Sequence, residues 1–455
     1  MKAKLLSNKS RSLKSFLQLL DSQGDLHHVR TTVSCNQEIA AITDRICKST
    51  GGGQALLFES VRESRYPVVT NLFGSARRAA FAWGRGASFQ DIAKLINNAP
   101  GRGSDERLHH LVQLRRRCSE GTGRFDLPLR KCGLTSLPAL QNWPGDGGRF
   151  LTLALVYLRD PQSQRINCGI YRMQILDDDR AAIRFLPGSD GARIFEAYAQ
   201  ANRSMPVAVT LGSDPAWVAA AAFPLPMDVA ESDFARWLSD RSLTSAQGPL
   251  TDLTIPADAE FVLEGVMCPE ESILEGPFGN HTGYYATPTR AAVFHLQALY
   301  HGEDPVFPAT VVGPPPMENV HLMRGSEPLT LALLNVDYPC IERLRFIEQG
   351  IFHGCTILGV DTSQGQCPFD LAHALWRRGP LKRSRLLIFC NCEMEIEPLS
   401  VVLWRLINRI DPEKDILIEH GRMAIDSTRP AGGPSVKVSP VIEGLINRRW
   451  HEYGF

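Results

Sequence analysis

Residues 150–176 read FLTLALVYLRDPQSQRINCGIYRMQIL, two strand-length apolar runs separated by a polar, turn-forming stretch. The same plan continues outward. AAIRFL (181–186), PVAVTLG (206–212), EFVLEGVM (260–267) and AVFHLQALY (292–300) are further apolar runs bounded by Pro, Gly and Asp. Strands this frequent between about Leu127 and Val312 predict a barrel or sandwich-like sheet. Within EFVLEG, alternation puts Glu260, Val262 and Glu264 on one face and Phe261 and Leu263 on the other.

On either side the text changes. LKSFLQLLDSQG (13–24) and EIAAITDRICKSTGGG (38–53) show helical spacing ending in glycine, whereas ALLFES (55–60) and YPVVTNLFG (66–74) read as short buried strands. NNAPGRGSDER (97–107) marks a boundary and precedes a basic helical segment, LHHLVQLRRRC (108–118). Beyond Glu318, strands and helices interleave in LTLALLNV (329–336), CTILGVD (355–361), FDLAHALWRR (369–378), RLLIFCNC (385–392) and LSVVLWRLINRI (399–410). The fold class is therefore mixed, α/β and α+β, over several domains: 1–115, mixed α/β; 116–315, strand-rich; 316–455, α/β, ending in RPAGGPSVKVSP (429–440), which reads as an extended arm that docks on another subunit.

Composition excludes several classes. The chain has 455 residues with 49 basic and 49 acidic side chains, so no global field favours nucleic acid or an acidic membrane. Hydrophobic residues make up 44%, enough for real cores. No apolar run reaches the roughly 18–20 residues of a membrane span, and the Lys- and Ser-rich start lacks an apolar signal core. A soluble, cytoplasmic protein is expected. The 11 cysteines show no C-x2-C spacing and read as reduced core thiols, Cys390 and Cys392 included.

The densest polar cluster is CPEESILEGPFGNHTGYY (268–285), where four glycines and prolines stiffen a turn carrying Glu275, Asn280, His281, Tyr284 and Tyr285. A carboxylate there, beside apolar and aromatic neighbours, suits general acid work; the bland reading is an exposed, capped turn. In QRINCGIYRMQIL, Asn167 and Arg172 interrupt an apolar strand. An arginine cannot shed its charge, so it needs a carboxylate or phosphate; Glu275 is the candidate partner, against an edge-strand arginine reaching water. VVGPPPMEN (311–319) is a rigid proline turn that reads as a domain connector.

Together with LQLLDSQGDL, PVVTNLFGS, NWPGDGG, PVAVTLGSDPA, PADAEFVLEG and NRIDPEKD, these strings resemble the UbiD-type decarboxylases, carboxy-lyases that use prenylated FMN on aromatic and unsaturated acids. The resemblance implies a central split β-barrel that binds prenylated FMN, flanked by N- and C-terminal α/β domains, in homo-oligomers, dimers or hexamers. It implies a flavin prenyltransferase as cofactor supplier, a small aromatic or α,β-unsaturated carboxylic acid as substrate, and Mn2+ (or another divalent cation) with K+ at the flavin phosphate. Carried over by motif, the cofactor contacts are Asn167, Gly169, Ile170, Tyr171, Arg172, Pro226 and Glu231, with Asn167 and Glu231 holding the metal.

The resemblance also exposes departures. Gly188 of FLPGSDG stands where the family has a metal-binding His, leaving Asp190 as a substitute oxygen ligand. The family's catalytic group is an Arg with two acids. Arg172 and Glu275 match the first two members, and Asn280 replaces the second acid with an amide that has no carboxylic proton to give. His281 is next in line as proton donor. The third-domain stretch GVDTSQGQCPFD lacks the family's Lys, with Arg422 as a possible cation. Two functions follow: a non-oxidative decarboxylase, or a non-catalytic paralogue serving as structural or regulatory subunit of an active relative.

Overall fold

The computed structural model describes residues 12–84, 88–118, 123–239, 243–351, 354–363, 365–429, 436 and 438–454. Most of the proposed arm at 429–440 lies outside the described residues.

The six apolar runs around residues 150–300 form one antiparallel sheet of nine strands. Its order is Phe150–Leu151, Met173–Ile175, Arg180–Ile183, Thr289–His301, Phe261–Glu275, Met205–Leu211, Leu155–Arg159 and Ile166–Ile170, with Leu129–Arg130 pairing with Thr289–His301. The two longest strands, Phe261–Glu275 and Thr289–His301, slip register after Glu264 and again after Met267. Such bulges bend a strand and increase its twist, which curls the sheet into the expected split barrel. Gly265 sits at the first slip, where a Cβ would overlap the His295 carbonyl oxygen.

Alternation along EFVLEG is as expected, yet both faces are covered. Phe261 and Leu263 join one core cluster and Val262 another. Glu264 is fully buried and satisfied by the Thr251 and Leu250 amides at 3.0 and 3.2 Å. A buried carboxylate persists only when bonded in this way.

The N-terminal unit is a four-stranded sheet, Leu26–Val29, Ala55–Phe58, Val68–Thr70 and Phe307–Pro308, so the chain returns from the curled sheet to complete it. VVGPPPMEN follows that return and acts as a connector: the Phe73 amide donates to Glu318 Oε2 at 2.9 Å. The C-terminal unit has five strands in the order Ile341–Phe346, Cys355–Val360, Leu386–Asn391, Arg422–Ser427 and Ile416–Glu419, the middle three parallel. LTLALLNV lies in helix Glu327–Asp337, with Pro328 in its first turn and Leu329 and Leu333 buried. The helical segment after 97–107 spans Ser104–Cys118.

The described cysteines are free thiols, with Cys390 buried and Cys392 half-buried. Burial pushes the Cys35, Cys47 and Cys355 thiols up to about 12, which keeps them protonated and inert. Among the described residues no helix is long and apolar enough to cross a membrane.

Candidate active site

Strand Phe261–Glu275 ends at Glu275, and Gly276 in the left-handed region (φ 100°) turns the chain into Phe278–Gly279. Arg172 lies at the break between strands Ile166–Ile170 and Met173–Ile175. Its Nε donates to Glu275 Oε1 at 2.6 Å and its Nη2 to Oε2 at 2.8 Å. The Glu275 side chain is 0% exposed and that of Arg172 18%. The guanidinium also lies 4.4 Å from the centre of the Phe278 ring. The lone arginine therefore has the expected carboxylate partner and does not reach out to water. Two parallel charge-assisted bonds and an aromatic face fix its plane.

Three distant motifs hold this turn in place. Gln174 accepts from the Gly276 amide at 2.7 Å and donates to the Gly147 carbonyl at 2.8 Å. Asp146 of NWPGDGG is buried, accepting from Asn142, Trp143 and Gly279 amides at 2.9, 2.9 and 2.6 Å. Trp143 Nε1 donates to the Val312 carbonyl at 2.7 Å, and a Cβ at Gly279 or Gly313 would strike the Trp143 ring. EGPFG, NWPGDGG and VVGPPP thus interlock, which makes EGPFGNHTGYY a built loop in place of a simple capped turn.

Asn280 Oδ1 accepts from the His281 amide at 2.7 Å, so this amide is turned to its own loop. His281 is half-buried, and its imidazole is held below the ordinary value, first by burial and then by the Arg172 charge. The structure therefore pairs Arg172 with Glu275, and His281, within reach of the Arg172 charge, favours its neutral form.

The second cluster forms where strand Ile166–Ile170 meets the start of helix Glu231–Ser239. Asn167 Nδ2 donates to Glu231 Oε1 at 2.9 Å and the Cys168 amide to Oε2 at 3.1 Å. Burial, with a smaller contribution from Asp190, raises the Glu231 carboxyl to about 7. Asn167 Oδ1 is buried with no hydrogen-bond donor. An orphaned amide oxygen beside a desolvated carboxylate fits a hard divalent cation. Tyr171 closes this cluster: its hydroxyl accepts from the Gly191 amide at 3.2 Å, and its ring covers Gly169, where a Cβ would collide with it. Ile170 is half-buried on the same strand, paired with Leu155. Asp190 opens helix Asp190–Gln200 and lies 3.9 Å from Arg193 Nε. Gly188 has φ 76° and open space where a Cβ would stand. Among the described residues no group of three or more His, Cys, Asp and Glu side chains gathers around one point. Pro226 lines a cavity of about 300 Å3 with Asp228, Arg377, Arg378 and Lys382.

Sequence reasoning missed Asp146, Gln174 and Arg383. NWPGDGG had turn-forming composition as a signal; Gln174 and Arg383 had none, since each acts on residues far away in sequence. Arg383 Nη2 donates to the Gly188 carbonyl at 3.0 Å. Arg422, by contrast, is engaged inside the C-terminal unit, donating to the Trp376 carbonyl at 3.2 Å.

A curled antiparallel sheet between two α/β units, with an arginine–carboxylate pair at its edge, is the arrangement that the resemblance to the UbiD-type decarboxylases implies. The N-terminal, Rift-related and C-terminal domain profiles of 3-octaprenyl-4-hydroxybenzoate carboxy-lyase match residues 17–96, 121–315 and 320–441, and the chain belongs to that family, the UbiD family. An uncharacterized protein of Aquifex aeolicus (strain VF5) is 31% identical over 482 residues, covering 98% of this chain and 99% of its own. Among solved structures, an evolved dimeric form of the UbiD-class enzyme HmfF from Pelotomaculum thermopropionicum, in complex with prFMN, has TM-score 0.77 and 25% identity, covering 96% of this chain and 98% of that one. Vanillic acid decarboxylase of Sedimentibacter hydroxybenzoicus in closed form has TM-score 0.80 and 23% identity over 98% of this chain and 99% of that one, a likeness of fold.

Proposed function

We propose that this protein is a non-oxidative decarboxylase of an aromatic or α,β-unsaturated carboxylic acid, dependent on prenylated FMN. The observation that carries the reading is the fully buried Glu275 held by two bonds from Arg172, five residues along the chain from an Asn167 whose amide oxygen lacks a donor. Burying a charge pair in this geometry costs solvation that a purely structural site has little reason to spend. When bound, the prenylated flavin supplies an electrophilic ring that accepts electron density as carbon dioxide leaves.

The chain's own residues supply the rest. Arg172 orients the substrate carboxylate, its guanidinium already fixed by Phe278 and Glu275. Glu275 delivers a proton to the carbon that carbon dioxide leaves, and His281 relays its replacement from solvent. Asn167 and Glu231 hold Mn2+ or another divalent ion, and through it the flavin phosphate, with K+ as a second cation. Copies of the chain associate as dimers or hexamers in the cytoplasm; exposed Leu403, Trp404 and Ile407 on helix Leu399–Arg409 support association. A flavin prenyltransferase supplies the cofactor.

The test is co-production with a flavin prenyltransferase, followed by an absorbance spectrum and mass analysis of released small molecules. Prenylated FMN bound one to one, with carbon dioxide released from an aromatic acid, is the expected result. The non-catalytic paralogue is a second reading, favoured by Asn280, whose amide turns to the His281 backbone and has no carboxylic proton to give. A colourless, metal-free protein after co-production would favour it.

A further inference from the structure

Gly188 has open space where a side chain would stand, and Arg383 of the C-terminal unit bonds its backbone carbonyl at 3.0 Å. We infer that Arg383 is the anion-binding residue of this chain, contacting the flavin phosphate directly in place of the ligand missing at Gly188. This rests on the flavoprotein reading above.

The segment RRGPLKR (377–383) of the C-terminal unit holds four cations. Arg377 lines the cavity shared by Pro226, Arg378 and Lys382. Arg378 bonds with Tyr338 and feels the Asp337 and Asp105 charges, and Lys382 lies near Asp105. Arg383 is different: its contact across the two units is the Gly188 carbonyl at 3.0 Å, and no carboxylate pairs with it among the described residues. Gly188 precedes Ser189, which caps helix Asp190–Gln200, and the Gly191 amide of that helix reaches the Tyr171 hydroxyl. Asp190 and Glu231 both press on the Tyr171 phenol, so the Gly188 loop borders the Asn167–Glu231 cluster. One guanidinium donor serves Gly188, and the rest of its planar fork is available to phosphate oxygens. The buried, unpartnered Asn167 Oδ1 is an independent sign that this cluster is built for a ligand. The site class is thus a phosphomonoester, held by Arg383 from one side and by the metal-binding pair from the other.

The probe is FMN with Mn2+, and riboflavin, which lacks the phosphate, is the control. Equilibrium binding to the full-length protein is followed by quenching of flavin fluorescence. Arg383→Ala is expected to weaken FMN binding about tenfold or more, to leave riboflavin binding unchanged, and to flatten the salt dependence of FMN binding. Arg383→Lys should recover part of the loss. Arg383 is exposed, so the fold should tolerate both changes. If wild type binds FMN and Arg383→Ala binds it equally well, or loses riboflavin to the same degree, Arg383 is not the phosphate ligand and the flavoprotein reading survives. If wild type binds neither FMN nor prenylated FMN, both fail together.

Discussion

Arg172 grips Glu275 through two parallel bonds, Nε to Oε1 at 2.6 Å and Nη2 to Oε2 at 2.8 Å, across 103 positions of sequence. The pair ties the strand carrying the candidate metal residue to the turn carrying His281, so the candidate chemistry and the local fold depend on the same contact. Removing one partner of a buried pair leaves the other charge uncompensated, at a cost of roughly 3–5 kcal/mol.

Arg172→Ala should therefore abolish carbon dioxide release and lower the thermal midpoint, because fully buried Glu275 loses both donors. Arg172→Lys should fold better yet remain nearly inactive, since a single ammonium cannot reproduce the fork or lie flat on Phe278. Turnover and thermal melts measured together check this. Substantial decarboxylation by Arg172→Ala would remove the role assigned to it.

The proposed metal-binding role of Asn167 and Glu231 predicts a second result, read without any turnover. Glu231→Ala should lose Mn2+ binding in calorimetry, because Asn167 Oδ1 alone is a weak ligand. Gly188→His should strengthen it, at least tenfold if the imidazole reaches the cation, equivalent to about 1.4 kcal/mol. Nothing stands within 4 Å of where a Cβ would be at Gly188, and the left-handed φ of 76° subtracts part of the gain. Mn2+ affinity unchanged in both variants would place the metal elsewhere.

Acid sensitivity gives a third. His281, His301 and His321 are all held below the ordinary imidazole value by burial, His321 at about 4. Unfolded histidines protonate near 6.5, so between pH ~6.5 and ~4 the unfolded chain binds more protons and stability falls as pH falls. His321→Gln should lose less stability than the parent between pH 7 and 5. Asp258, raised to about 8 by burial, acts oppositely, losing stability as pH rises toward 8. Comparing variant with parent at each pH cancels that contribution. Parallel stability curves for the two proteins would contradict the assignment.

Much of this site could be read before the fold was seen, for a physical reason. An arginine inside an apolar strand needs an anion or water, and EGPFGNHTGYY offers a carboxylate, so charge alone names Glu275 as the candidate partner, with an edge strand reaching water as the alternative. The curled sheet follows from the spacing of its apolar runs. Residues that act at a distance left no trace: Gln174 serves Gly276, 102 positions away, and Arg383 serves Gly188, 195 positions away. On the primary chain they are ordinary polar side chains. The burial of both faces of EFVLEG was hidden too, because alternation separates two faces without saying what covers each.

Asn280 decides between the enzyme and the paralogue. Its Oδ1 accepts the His281 amide at 2.7 Å, a bond that a carboxylate oxygen makes equally well, so Asn280→Asp should preserve the loop. The second carboxylate oxygen then adds a carboxylic acid to the loop that follows Glu275, the kind of group that protonation of a carbanion requires. In an impaired decarboxylase the substitution should raise turnover with little change in substrate KM, since it acts on the proton-transfer step and not on binding. The gain should be largest at acidic pH, where the new carboxyl is protonated. A chain that serves only as a scaffold would stay inert in both forms. Measurement of kcat and KM for parent and variant across pH, after loading with prenylated FMN, separates the two. A rise in kcat supports the enzyme, and silence from both proteins with the cofactor bound would refute it.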